Sequence, residues 1–193
     1  PIAIASTVSA AFGTWAFGGA PLFSLSLDAP DLLPLLPSLV LSGFVFGIVA
    51  LTYMRRIFMF AAMPAKSGIG YLPLALIAAL VTGAFGIFYP EVLGLGVEVI
   101  LSFINHDLSV KLILVLLGLK ILLTTLCIGF GVFGGVFSPA LFIGAATGQA
   151  MSNLLSQIYL FSPSAVLAVS GMAAVAACVV GAPLAVVMII LEL

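Results

Sequence analysis

The stretch Thr124-Thr125-Leu126-Cys127-Ile128-Gly129-Phe130-Gly131-Val132-Phe133-Gly134-Gly135-Val136-Phe137-Ser138-Pro139 decides how this chain is read. An apolar run stops at a cluster of glycines, and a second apolar run starts near Val136 with a proline in its first turn. Proline is tolerated there because the opening amide hydrogens of a helix have no intrahelical acceptor. The pattern predicts two helices separated by a glycine-rich break.

The surroundings say what the helices are immersed in. From Ile121 to Leu191 there are 71 consecutive residues without a formal charge. A membrane-crossing helix needs about 20 apolar residues, so this run has room for three. Across all 193 residues, 6% are charged and 64% hydrophobic, with a mean hydropathy of +1.45. A water-soluble domain carries about 25% charged residues to cover its surface. The fold class that follows is all-α, a polytopic membrane protein with tilted, broken and re-entrant helices. The long unalternated runs exclude a membrane barrel, and the apolar content excludes disorder. Five scattered cations and a formal net charge of −1 offer no basic face to a nucleic acid.

Glycine, proline and the few charges punctuate the chain. Residues 1–18 form a small-residue-rich apolar segment, followed by a loop with Asp28, Pro30, Asp31, Pro34 and Pro37. A segment from Leu35 to Met63 is interrupted by Arg55-Arg56, and Pro64 to Gly68 reads as a polar turn. A third segment, Leu72 to Phe88, ends at Tyr89-Pro90; residues 91–110 are mixed, reading as short helices and loops. Further apolar segments are expected at Leu112–Phe130, Val136–Leu155, Ala165–Val180 and Leu184–Leu193. Several of these are short for a crossing and are broken by Gly or Pro, the pattern transporters use to build sites near the midplane. Arg55, Arg56 and Lys66 bound one connection, which the positive-inside rule places in the cytoplasm. The chain opens at Pro1 with no signal-peptide pattern and stops at Leu193 directly after an apolar run. Residues 1–193 are therefore expected to be a single transmembrane domain belonging to a longer protein.

The glycine-rich break also carries chemistry. A helix starting near Val136 presents amides without intrahelical partners, and its dipole adds about half a positive charge at that end. Gly134 and Gly135 remove side chains that would block access to them. Such an arrangement is an anion site made of backbone amides, without a cation. Partial charges hold a halide weakly enough to release it. Glycine spacing by itself leaves a second reading open, in which the glycines only let two helices pack closely.

Gly135-Val136-Phe137-Ser138-Pro139, followed by Ala140-Leu141-Phe142-Ile143-Gly144, resembles the GxFxP motif of the CLC family of chloride channels and proton/chloride antiporters. Lys120-Ile121-Leu122-Leu123-Thr124-Thr125 resembles that family's lead-in helix. Gly181-Ala182-Pro183-Leu184 through Leu191-Glu192-Leu193 resembles its "APL…LE" segment, and Pro90-Glu91-Val92-Leu93-Gly94 fits a family loop. The matches come in order along essentially the whole chain.

The resemblance implies a homodimer in a lipid bilayer, each subunit with its own anion pathway built from two inverted halves, and this chain matches most of the second half. Chloride is then the transported ligand, held by the backbone amides of Val136 and Phe137. Gly134 and Gly135 give access, Ser138 and Pro139 complete the motif, and the Phe137 ring lines the pathway. Transport is by channel conduction or by exchange for protons; no cofactor and no metal are implied. The departures are also specific. The family's GSGIP and GxEGP segments are absent, and Lys66-Ser67-Gly68-Ile69-Gly70 echoes the first without its proline and reads as a loop. The pathway tyrosine expected near the C-terminal helix is missing, since Tyr53, Tyr71, Tyr89 and Tyr159 all lie upstream of it. The first half and the final helix, with the gate and most of the proton route, are thus expected to lie outside this sequence.

The remaining residues read more plainly. Glu192, at the end of its segment, reads as an interfacial or dimer-contact residue before an intramembrane functional carboxylate. Lys120 is expected to snorkel to an interface, with electrostatic attraction of anions as the alternative. His106-Asp107, beside Asn105 and Ser109, suits helix capping and loop hydrogen bonding better than a proton relay. Arg55-Arg56 reads as a topology anchor, Trp15, Tyr89 and Tyr159 as interfacial belt residues, and Cys127 and Cys178 as small packed hydrophobes. The single histidine has no paired nucleophile, and no acidic pair or metal-ligand spacing occurs, so an enzyme is not expected. Two other readings are a non-transporting membrane scaffold or assembly subunit, in which the glycines serve packing, and a carrier for another small anion such as fluoride or nitrate.

Overall fold

The computed structural model describes residues 32–105, 108–132, 134–158 and 163–192, together with residues 8, 11–13, 15, 16 and 18. Most of the segment 1–18, along with Asp28, Pro30, Asp31, His106, Asp107 and Tyr159, lies outside the described residues, as does the side chain of Glu192. The helices run in chain order as α1 Leu32–Ala61, α2 Met63–Ser67, α3 Tyr71–Phe88, a 3-10 turn Pro90–Val92, α4 Val97–Asn105, α5 Val110–Gly129, α6 Phe137–Gln157, α7 Ser164–Val180 and α8 Pro183–Glu192. The expected all-α architecture is the one observed.

Two boundaries differ from the expectation, each for a local reason. Arg55-Arg56 does not interrupt its segment; α1 runs through both, which stand exposed on its surface. Arginine is a good helix former, so a charge pair by itself breaks nothing. Pro34 and Pro37 belong to the first two turns of α1 and not to the loop before it. Opening amides lack acceptors, so proline there forfeits at most a single bond. The polar turn expected at Pro64–Gly68 is the one-turn helix α2, closed by Gly68 at φ 67, a left-handed conformation that glycine adopts without strain.

Helices α1, α3 and α5 are long and apolar enough to cross a membrane, and α7 is a shorter apolar helix. Most of α3 faces outward, with Leu72, Leu76, Leu80, Ile87 and Phe88 exposed, as a lipid-facing helix requires. Helix α6 is the opposite case. Every residue from Ala140 to Ser152 is buried, enclosed by α7, α5, α4 and α1. Its closest neighbour is α7, and small residues allow the approach. A Cβ on Gly144 would fall against the Gly171 carbonyl, and one on Gly148 against the Leu167 carbonyl. This Gly-xxx-Gly face brings two backbones into contact, so dispersion and packing, not water exclusion, hold the pair together in an apolar solvent. α5 closes against the end of α1 in the same manner, since a Cβ on Gly129 would overlap Phe60.

Candidate functional site

The polypeptide leaves α5 through a hydrogen-bonded turn. The Phe130 N–H donates to the Leu126 carbonyl at 3.0 Å, Gly131 N–H to Ile128 at 3.2 Å and Val132 N–H to Cys127 at 3.0 Å. Gly131 sits at φ +84 against the Tyr71 ring, a conformation that ends the helix and turns the chain toward the next one. α6 then begins at Phe137, with Val136 at the flanking position (φ −87, ψ −18) and Pro139 in the first turn, as expected. Among the described residues no side chain caps this end. Ser138, a natural capping residue type, directs its hydroxyl elsewhere and donates to the Leu95 carbonyl at 3.4 Å. Among the described residues, no side-chain acceptor covers the opening amides of α6.

A cavity of about 180 Å³ opens beside this helix start. Gly134, Gly135 and Pro139 lie on its wall, and so do Leu123, Thr124, Cys127 and Ile128 of α5, Thr82 of α3 and the Val92–Gly94 turn. Among the described residues, leaving aside chain neighbours, nothing lies within 4 Å of a Cβ placed on either Gly134 or Gly135. A second cavity, about 390 Å³, adjoins the first through shared Ile128, Val132 and Gly134 and reaches Tyr71 and Gly131. The Thr82 hydroxyl and the Cys127 thiol lie 3.2 Å apart on the first cavity's wall. The Phe137 ring is half-buried and packs against the main core, while the Gly134–Gly135 pair and Pro139 lie on the cavity wall.

One residue of this wall departs from the sequence reading. Lys120 does not snorkel to an interface: it is 3% exposed and lines the cavity. It stands midway along the 20 residues of α5, about 14 Å from either end at 1.5 Å per residue, too deep for a lysine stem to reach the surface. Its Nζ donates to the Val92 carbonyl at 2.7 Å and the Gly94 carbonyl at 3.0 Å, and lies 4.7 Å from the centre of the Phe142 ring. The cavity is therefore not built without a cation, as the sequence suggested. Its depth within the span was the signal that placed it, outweighed in the sequence reading by lysine's general habit of snorkelling.

The family assignment rests on the whole chain. The family model for voltage gated chloride channels matches residues 1–193. The chain is 28% identical to the H(+)/Cl(-) exchange transporter ClcA of Vibrio campbellii over 161 residues, which is 80% of this chain and 34% of that protein. It is 29% identical to the ClcA of Vibrio cholerae over 176 residues, 86% of this chain and 36% of the relative. The chloride channel protein CLC-e of Arabidopsis thaliana is 33% identical over 180 residues, 82% of this chain and 25% of that protein. The chain thus spans about a third of the length of the bacterial relatives it matches. It belongs to the voltage-gated chloride channel, or CLC, family and is an integral membrane protein.

Proposed function

We infer that this chain forms the anion-holding part of a chloride transport domain, in which chloride is bound by the backbone amides of Val136 and Phe137 at the start of α6. The observation that carries the reading is the uncapped helix start beside the open cavity, in a chain of this family. A chloride ion there accepts hydrogen bonds from amides whose alternative partner is water. Each such charge-assisted bond contributes about 1.5–3 kcal/mol, and the helix dipole favours the same sign of charge. Gly134 and Gly135 keep side chains out of the approach, and the adjoining cavity past Ile128 and Val132 supplies a way out. Because the ligands are neutral amides, the ion is held without the immobilising contact of a full ion pair, which suits throughput.

The whole protein is proposed to transport chloride as a homodimer, with the Arg55–Lys66 connection cytoplasmic. The bacterial relatives' names support exchange for protons over passive conduction. Against a scaffold role for Gly134 and Gly135 stands the open space around both among the described residues.

Anomalous diffraction from the intact protein soaked in bromide tests the site. A peak about 3–3.5 Å from the Val136 and Phe137 nitrogens, the hydrogen-bond length enlarged for a halide, is the expected result. Bromide absent there while halide flux persists in vesicles would place the anion elsewhere. Proton movement driven by a chloride gradient in the same vesicles separates exchange from conduction.

A further inference from the structure

We propose that the hydroxyls of Thr82 and Thr124, supported by the Cys127 thiol, form a second anion station on this cavity, a set of neutral side-chain donors that shares chloride with the α6 amides. The inference rests on the reading above that the cavity carries chloride. A difference among the threonines carries it. A threonine hydroxyl inside a helix ordinarily donates to a carbonyl three or four residues back. Thr52 does so to Ile48 at 2.8 Å, Thr147 to Ile143 at 2.7 Å, and Thr125 to Ile121 at 2.7 Å with Leu122 as a second acceptor at 3.0 Å. Thr124, the residue before Thr125 on α5, makes no such bond, and among the described residues its hydroxyl has no partner. Thr82 of α3 does not turn back to its own helix either. Its oxygen lies 3.2 Å from the Cys127 sulfur, and either atom can donate. Thr82, Thr124 and Cys127 all line the cavity, whereas Thr52, Thr125 and Thr147 do not. The hydroxyls released from helix bonding are the ones at the cavity.

An idle hydroxyl in an apolar wall is expensive, because its donor has given up water without a replacement. A halide supplies the acceptor. The Thr124 O–H rotates to suit its partner, and Thr82 can accept from the Cys127 S–H while donating its own hydrogen to an ion. The rest of the wall is glycine, proline and aliphatic side chains, apart from Lys120, whose ammonium is already bonded to the Val92 and Gly94 carbonyls. Thr124 and Cys127 stand three residues apart on α5, about 4.5 Å along its axis, and Thr82 comes from α3, so the donors reach the ion from two helices. Gly134 and Gly135, which open the way to the α6 amides, border the same space. In about 180 Å³, two chloride ions would repel each other strongly. A single ion is therefore passed between amides and hydroxyls, and two weak stations release it more readily than one strong site.

The test is the chloride dependence of transport by the intact protein in vesicles, comparing Thr124→Val, Thr82→Val, Thr124→Ser and Thr125→Val. Thr124→Val should raise the apparent KM for chloride by roughly tenfold, as loss of one hydrogen bond to a charged acceptor predicts. Thr82→Val should raise it by less, since the Cys127 thiol can then donate in its place. Thr124→Ser, which keeps the donor, should lie nearer wild type than the valine variant. Thr125→Val removes a hydroxyl committed to its own helix and should leave KM unchanged. Wild-type KM in both Thr124→Val and Thr82→Val overturns the proposal, and so does a Thr125→Val shift as large as that of Thr124→Val, which would mark a packing effect. Should Thr124→Val not fold, bromide density in the wild-type protein decides: a peak about 3–3.5 Å from the Thr124 and Thr82 oxygens supports the station and its absence overturns it. The same map separates the two levels of inference. Density at the Val136 and Phe137 amides but not at the hydroxyls overturns this proposal alone, density at the hydroxyls but not at the amides overturns the earlier reading alone, and density at neither overturns both.

Discussion

The approach to α6 and the middle of α6 use glycine in opposite ways. Just before the helix, Gly134 and Gly135 border a cavity and, among the described residues, face open space. Further along the helix, Gly144 and Gly148 are pressed against the backbone of α7, where even one added carbon would overlap a carbonyl group. The same residue type leaves a vacancy in one place and removes one in the other. The difference suits the proposed site: the middle of the helix is anchored by a close backbone-to-backbone contact, which holds in place the start proposed to meet the anion. A partial charge at a helix end is useful to an ion only if the helix cannot recoil from it, and α7 supplies that resistance.

Substitutions sharpen this contrast, beginning with the largest effect. Gly148→Val should prevent α6 from seating on α7. Overpacking a buried contact costs about 1–3 kcal/mol, and more where backbone must move, so loss of a monodisperse protein on size-exclusion chromatography is expected. A Gly148→Val protein as stable as wild type would mean that the two helices do not touch as described.

Val136→Pro asks the complementary question at the helix start. Proline fits there because Val136 already sits near φ −87 and is preceded by a glycine that accepts the backbone proline imposes on its neighbour. One amide hydrogen disappears while the helix remains. Halide affinity measured by isothermal titration should fall by about 1.5–3 kcal/mol, or roughly tenfold to a hundredfold, with the melting temperature little changed. An unchanged affinity would return the opening glycines to the packing role.

A smaller effect, of opposite sign, belongs to the buried middle. The side-chain amide of Gln149 is fully buried and, among the described residues, finds no hydrogen-bond partner. Gln149→Met keeps the shape and removes the orphaned polar atoms, and should raise stability in a detergent melt by about 1 kcal/mol. A loss of stability instead would show that the amide has a partner in the membrane.

The smallest change in stability is expected for Gly135→Ala. Its backbone is not left-handed and its Cβ meets nothing, so the melting curve should shift by no more than about 0.5 kcal/mol. The methyl group would nevertheless stand at the cavity wall, and chloride flux should drop. Normal flux would mean that the ion does not pass there.

Much of this was legible in the residues. The charge-free run announced membrane helices, and helix ends at Phe88, Val180 and the Gly181-Ala182-Pro183 break were marked by glycine and proline, whose backbone limits are local. The start of α6 was legible for the same reason, since Pro139 tolerates only the opening turn. Arg55-Arg56 misled because a charge pair signals topology and not a helix boundary. Lys120 misled because its sequence neighbours are all apolar, and the carbonyls that satisfy it come from Val92 and Gly94, 28 and 26 residues away.

By itself, then, the sequence determined the all-α membrane class, the order of helices and the glycine-opened start of α6, because hydropathy, proline and glycine act through the solvent and through one residue's own dihedral angles. Only the tertiary structure decided which glycines are packed and which are open, and turned a lysine expected at the membrane surface into a buried charge beside the cavity. Those properties depend on what another helix places within about 4 Å, the reach of a van der Waals contact, and neither composition nor spacing along the chain carries that information.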